Sequence, residues 1–191
     1  MRRLQTMFLG LCLLANLALP VARAQNDVYD LRDNAFSHNN TGLAYLHKKD
    51  YPDAIAEFRA AILLNPQSAM TAAIYNNLGL AYRGHHMQTL AMACFQHAIR
   101  LQPNYAHYYQ NLVDSWTEQG SLLSAHDALS GLTDNNPQNS EAFFLLGLIH
   151  EALGRPDSAR EAFQAFLALK PHADLVDAAR GHLQKLRRAG L

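Results

Sequence analysis

Apolar and small side chains recur along this 191-residue chain in one pattern that is copied with varying fidelity. Its fullest copy runs from Tyr75 to Pro103, with Tyr75, Leu78, Gly79 and Tyr82 in one half, Ala91, Phe95 and Ala98 in the other, and Pro103 closing it. The closing proline recurs as Pro66, Pro103, Pro137 and Pro171, so the last two intervals are equal and the first is slightly longer, with room for three extra residues between the first two copies. Past Pro171, Leu175, Val176, Ala179, Leu183 and Leu186 fall at helical intervals with Arg180, Lys185, Arg187 and Arg188 on other faces, which predicts an amphipathic helix. At the opposite end Arg2 and Arg3 precede a mostly apolar run, Met7 to Leu19, then Pro20 and Ala22-Arg23-Ala24. That is the pattern of a secretory signal peptide with an A-x-A cleavage site. A membrane anchor is the other reading, but a run from 7 to 19 falls well short of the roughly 20 residues that span a bilayer. A lipoprotein signal at Cys12 would need a small residue before it, where Leu11 stands.

The intervals around Gly79 match W-x2-L-G-x2-Y, A-x3-F, P, with Tyr75 at the Trp position, and the segment resembles a tetratricopeptide repeat of about 34 residues. The resemblance implies an all-α fold, a right-handed superhelical solenoid of four helix-turn-helix repeats with a C-terminal capping helix. Counting the closing proline as position 32 places the repeats at 35–68, 72–105, 106–139 and 140–173, after a signal peptide at 1–24 and a flexible leader at 25–34, with the capping helix and tail at 174–191. Val28, Tyr29 and Leu31 are expected to dock the leader on the first helix. Repeat one keeps Gly42, Tyr45, Ala54, Phe58 and Ala61, and repeat four keeps Phe143, Leu146, Gly147, Ala159 and Phe163. Where two helices cross closely a side chain would hold the backbones apart, so small residues sit at the crossing. Repeat three is the weakest copy, because Val113 replaces the packing glycine and Leu129 the phenylalanine, and its helix pair should be more widely spaced.

Composition narrows the function. Removing residues 1–24 takes away Arg2, Arg3 and Arg23 and no acid, leaving 13 basic against 16 acidic side chains, a formal charge of −3 on 25–191. A mildly acidic chain argues against a nucleic-acid partner, which demands a basic face. Cys12 leaves with the signal, so Cys94 stands alone and no internal disulfide forms. It reads as a buried core thiol. Four repeats exceed the three or so needed for a stable stack.

No G-x-S-x-G, G-x-x-x-x-G-K-[ST], H-E-x-x-H or C-x-x-C motif occurs, so no catalytic residue, cofactor or metal site is nominated and the chain is not expected to be an enzyme. Among ten histidines, His85-His86-Met87 is the one grouping with metal ligands of intermediate softness, but three adjacent residues define no coordination geometry. The family resemblance points instead to the groove lined by the first helices of the repeats. Position 5 is Asn39, Asn76, Gln110 and Phe144, position 6 is Asn40, Asn77, Asn111 and Leu145, and position 9 is Leu43, Leu80, Asp114 and Leu148. Amides both donate and accept, so Asn40, Asn77 and Asn111 one repeat apart are suited to bond the backbone of an extended peptide. In the alternative reading, Asn at position 6 is the family's common choice and serves packing. Leu46 adds apolar surface, Arg83 is the only strong cation of the groove, and the last repeat turns it apolar and acidic through Phe144, Leu145, Leu148, Glu141 and Glu151. With leucine at position 9 of the first two repeats and only peripheral Lys48, no chaperone-type carboxylate clamp is expected.

These observations lead to an exported, non-catalytic adaptor that holds an extended peptide or a helix of an envelope protein, and the short signal with its A-x-A site points to the bacterial periplasm as its compartment. Exported proteins of this family resemble accessory factors of pilus, secretin, outer-membrane or peptidoglycan assembly. After signal cleavage no transmembrane anchor is expected. The alternative is a homo-oligomer through the repeat stack or through Leu175, Val176, Leu183 and Leu186 of the capping helix.

Overall fold

The computed structural model describes residues 33–67 and 69–188. The expected signal peptide, residues 25–32 of the leader and the end of the tail, 189–191, therefore lie outside it. Among the described residues there are nine helices and no strand. They are α1 (33–47), α2 (Tyr51–Leu64), α3 (Thr71–Gly84), α4 (Gln88–Leu101), α5 (Ala106–Gln119), α6 (Leu122–Asn135), α7 (Ser140–Ala152), α8 (Pro156–Ala168) and α9 (Ala173–Arg188). Asp33 and Asn34, expected in a flexible leader, are already helical.

Local chemistry sets the breaks. Pro52 and Pro156 sit in the first turns of α2 and α8, where a missing N–H leaves no bond unmade. Asn139 caps α7 by accepting a bond from the Ala142 N–H at 3.1 Å. Between the two helices of every repeat, position 15 takes a left-handed backbone: Lys49 (φ 61°), His86 (62°), Gly120 (74°) and Gly154 (67°). Glycine adopts this freely, whereas Lys49 and His86 incur a steric penalty for it.

Tertiary packing explains the repeat signature atom by atom. A methyl group placed on Gly42, Gly79 or Gly147 would stand 2.7, 2.6 or 2.5 Å from Cε1 of Phe58, Phe95 or Phe163, the aromatic ring on the second helix of the same repeat. All three rings are fully buried. The missing side chain is what lets each phenylalanine lie on the backbone of the partner helix. In the third repeat Val113 is buried at that place, and α5 touches α6 far less than α3 touches α4 or α7 touches α8. Helix α6 accordingly buries little more than Leu122 and Thr133, and leaves Leu123 and Leu132 exposed.

The C-terminal half shares one core in which Phe144 meets Tyr109 and Phe163 edge to face and Phe166 at a tilt, with ring centroids 5.3–5.8 Å apart. Helix α9 joins it through Leu175, Ala179 and Leu186, packs on α8 and reaches α5. Its His182 stacks on Phe163 at 5.1 Å and places Nδ1 2.6 Å from Glu151 Oε2 on α7. Leu175 and Leu186 are thus buried within the chain, and Val176 and Leu183 are half-buried, so the residues proposed for self-association are largely engaged at home.

Candidate interaction groove

Helices α1, α3 and α5 stand side by side on one face, joined by side-chain amides. Asn77 Nδ2 donates to Asn39 Oδ1 at 3.4 Å, and Asn111 Nδ2 donates to Asn76 Oδ1 at 2.8 Å. Each bond runs from position 6 of one repeat to position 5 of the repeat before it. Asn39 and Asn76 are consequently 8 % and 6 % exposed and do not line an open surface, a correction to the expected groove. They are clasps between repeats.

Position 6 keeps part of its capacity. An amide has two N–H donors and a carbonyl with two lone pairs. After the clasp, Asn77 and Asn111 each retain one N–H and the carbonyl, and both are half-exposed. Asn40, in the first repeat, is exposed and its amide makes no hydrogen bond among the described residues. The packing reading thus accounts for one N–H of Asn77 and of Asn111 and leaves their other amide groups uncommitted among the described residues.

The middle of the groove is ionic. Arg83 Nη1 lies 3.6 Å from Asp114 Oδ2 and Nε 3.9 Å from Glu118 Oε1, with its guanidinium carbon 5.9 Å from the centre of the Phe95 ring. Gln110 donates to Asp114 at 2.8 Å and Gln88 to Glu118 at 3.0 Å. Arg83, expected as the one strong cation facing a ligand, is thus already between two carboxylates. Glu118 completes this cluster from position 13, one helical turn after Asp114. The spacing was legible, but its charge partner on another repeat was not. Leu43, Leu46 and Leu80 are half-buried between the polar rungs, and Leu46, Leu80, Arg83 and Glu118 line one depression with Lys49 and His86.

The far end departs from the expectation. Phe144 and Leu148 are 0 % and 2 % exposed and Leu145 is also buried, so these residues belong to the core rather than to an apolar stretch of groove. Tyr109 packs against Phe144, and the Glu151 carboxylate meets His182 of α9. The face available to a ligand spans three inner helices, not four.

Elsewhere, His85, His86 and Met87 form the exposed α3–α4 turn. Among the described residues no group of three or more His, Cys, Asp or Glu is placed to hold a metal ion, and no helix is long and apolar enough to cross a membrane. Burial pushes the Cys94 thiol up to about 11, which leaves almost no reactive thiolate near neutral pH.

Paired helices stacked in register, with small-to-aromatic contacts inside each pair and polar inner faces, define a helical repeat scaffold for protein–protein interaction. Residues 33–104 and 117–174 match the tetratricopeptide repeat family, together most of the chain, and the chain belongs to that family. Its fold is similar to that of a tetratricopeptide repeat protein from Parabacteroides merdae, at 20% identity and TM-score 0.51, over 82% of this chain and 61% of that one. It is also similar to MamA, at 26% identity, TM-score 0.48 and coverage of 78% and 85%, and to YrrB, described as a TPR protein with an unusual peptide-binding site, at 19% identity, TM-score 0.45 and coverage of 87% and 88%. No curated protein matches the sequence.

Proposed function

We propose that the protein is an exported, non-catalytic adaptor that holds a segment of another cell-envelope protein against α1, α3 and α5. The observation that carries this reading is the row of position-6 amides, Asn40, Asn77 and Asn111, exposed or half-exposed one repeat apart, whose remaining N–H and C=O groups make no bond among the described residues, with leucines between them. Such a row bonds the backbone of an extended segment whatever its side chains, while Leu43, Leu46 and Leu80 take up apolar ones. Export rests on the sequence of residues 1–24, whose charged start, apolar run and A-x-A site form a signal peptide. The site contains no arrangement of nucleophile, base and orienting group.

The test is affinity capture of envelope proteins with the purified protein and with two variants. Asn40→Ala removes an amide that makes no hydrogen bond among the described residues, so its effect reports on ligand contact, whereas Asn77→Ala also opens the clasp to Asn39. A partner whose affinity drops several-fold with Asn40→Ala, at unchanged helicity, supports the groove. A partner held equally by wild type and both variants places the contact elsewhere and refutes it.

A further inference from the structure

The outer face carries a second, apolar surface. Between α2 and α4 runs a cleft of about 600 Å³ floored by Tyr75, Leu78 and Tyr82 of α3. It lies at the junction with the long connection, residues 65–70, where the later repeats are joined by 102–105 and 136–139. One wall presents Ala56, Ala60 and Leu63, at i, i+4 and i+7, and the other Leu90, Ala93 and His97, at i, i+3 and i+7. Each wall is therefore a helical stripe with small residues towards the middle and a leucine at one end. Among the described residues Leu63 is 82 % and Leu90 47 % exposed, so the cleft is flanked by an apolar surface of the kind that marks an interaction site.

We propose that this cleft receives an amphipathic helix of a partner protein, one whose apolar stripe is flanked by acidic residues. The dimensions fit a helix: Ala56 to Leu63 covers about 10 Å at 1.5 Å per residue, some two turns. Alanines at the centre allow an incoming backbone to approach at the 8–10 Å typical of packed helices, as Gly79 allows within the α3–α4 pair. The charge of the cleft selects the partner. Arg59 lines it, Arg100 lies one turn beyond His97, neither forms an ion pair among the described residues, and no carboxylate lines the cleft. Of the two acids on α2, Glu57 is engaged with His38 at 2.6 Å, and Asp53 sits in the first turn of the helix, one turn before Ala56 and outside the lining. His97 stacks on Tyr75 with ring centroids 4.8 Å apart, and acts as an aromatic wall. A helix bearing Asp or Glu beside its apolar stripe would bring the missing countercharge to Arg59. This surface is separate from the amide groove, so the two sites stand or fall independently.

The experiment is a selection from a library of peptides displayed on a helical scaffold with the outward positions randomised, using the purified protein as target. Ala93 is exposed, so Ala93→Glu puts a carboxylate in the cleft without disturbing the core. The expected result is enrichment of an i, i+3, i+7 apolar stripe with flanking Asp or Glu, binding to Ala93→Glu at least tenfold more weakly and to Asn40→Ala unchanged. If Ala93→Glu lowers the helical signal, Leu63→Ser, at the more exposed of the two flanking leucines, replaces it with the same expectation. Enriched helices without acidic bias, binding that survives both cleft variants, or no enrichment at all would overturn the proposal. It would equally be overturned if the cleft variants abolished a dimer seen by sedimentation, or if laurate occupied the cleft and no peptide did. A loss of binding with Asn40→Ala but not with Ala93→Glu would move the contact to the amide groove and leave only that reading standing.

Discussion

Replacing Gly79 by alanine puts the repeat signature to a quantitative test. The added methyl would stand 2.6 Å from Phe95 Cε1 and 2.9 Å from Cδ1 and Cζ. Carbon atoms settle at about 3.5–4.0 Å, so the ring or the helix must yield by roughly 0.9 Å. Phe95 is fully buried, so its ring can yield only by displacing packed neighbours. Overpacking of this kind costs about 1–3 kcal/mol, against a gain of about 1 kcal/mol for removing glycine from a helix interior. Gly131 in α6 and Gly181 in α9 supply the control, since an added Cβ there meets nothing within 4 Å. Gly131→Ala and Gly181→Ala should therefore each stabilise by about 0.5–1 kcal/mol. Urea unfolding followed by circular dichroism should order the proteins as Gly131→Ala above wild type above Gly79→Ala, the extremes separated by roughly 1–3 kcal/mol. Adding Phe95→Leu to Gly79→Ala should recover part of the loss, because the two changes act on one contact. If Gly79→Ala proves as stable as Gly131→Ala, the close glycine–phenylalanine crossing is not what holds the pairs together and the argument fails.

Three further outcomes are expected. His86→Gly should raise the unfolding midpoint by relieving a left-handed backbone that costs a non-glycine residue about 1–2 kcal/mol, less the added freedom of the unfolded chain; the same change at the exposed neighbour His85, whose φ is −87°, should not. Burial first, then the nearby His126 and Arg155, lower the pKa of His150, with Glu161 opposing, so the unfolded chain takes up the proton first as the pH falls. Stability present above about pH 6.5 should decline below it, since His97 and His107 are shifted the same way, and His150→Tyr should flatten part of that decline in unfolding midpoints measured at about pH 7.5 and 5.5. Amide hydrogens of α6 should exchange faster than those of α4 and α8, because few of its side chains are buried; equal protection would mean that α6 is seated more firmly than its contacts indicate.

The fold was readable because its determinants are local and repeated. Gly42, Gly79 and Gly147 each precede their phenylalanine by the same interval, and Val113 with Leu129 marked the one pair that packs differently. The groove was readable only in part, because exposure depends on neighbours that a single repeat does not contain. Asn39 and Asn76 look like Asn40 and Asn77 in sequence, yet they are covered by the amide of the following repeat. Phe144 and Leu148 carry the same position numbers as groove residues, but α9 and the aromatic core close over them. Arg83 loses its freedom to Asp114 and Glu118 of the next repeat, a pairing set by the stacking angle between repeats. The left-handed turn at position 15 was visible where glycine occupies it and hidden where Lys49 and His86 do.

A stack of like units has no inherent length, since each unit offers its successor the same surface it used itself. Helix α9 packs across the fourth unit at the place where its successor would lie. By committing Leu175, Ala179 and Leu186 to the surface a fifth unit would use, and anchoring His182 to Glu151, it turns the outermost unit into a terminus with a charged outer side. A unit stacked directly on the fourth would have to displace α9 from these contacts, whereas a duplicate inserted before residue 173 would leave them intact.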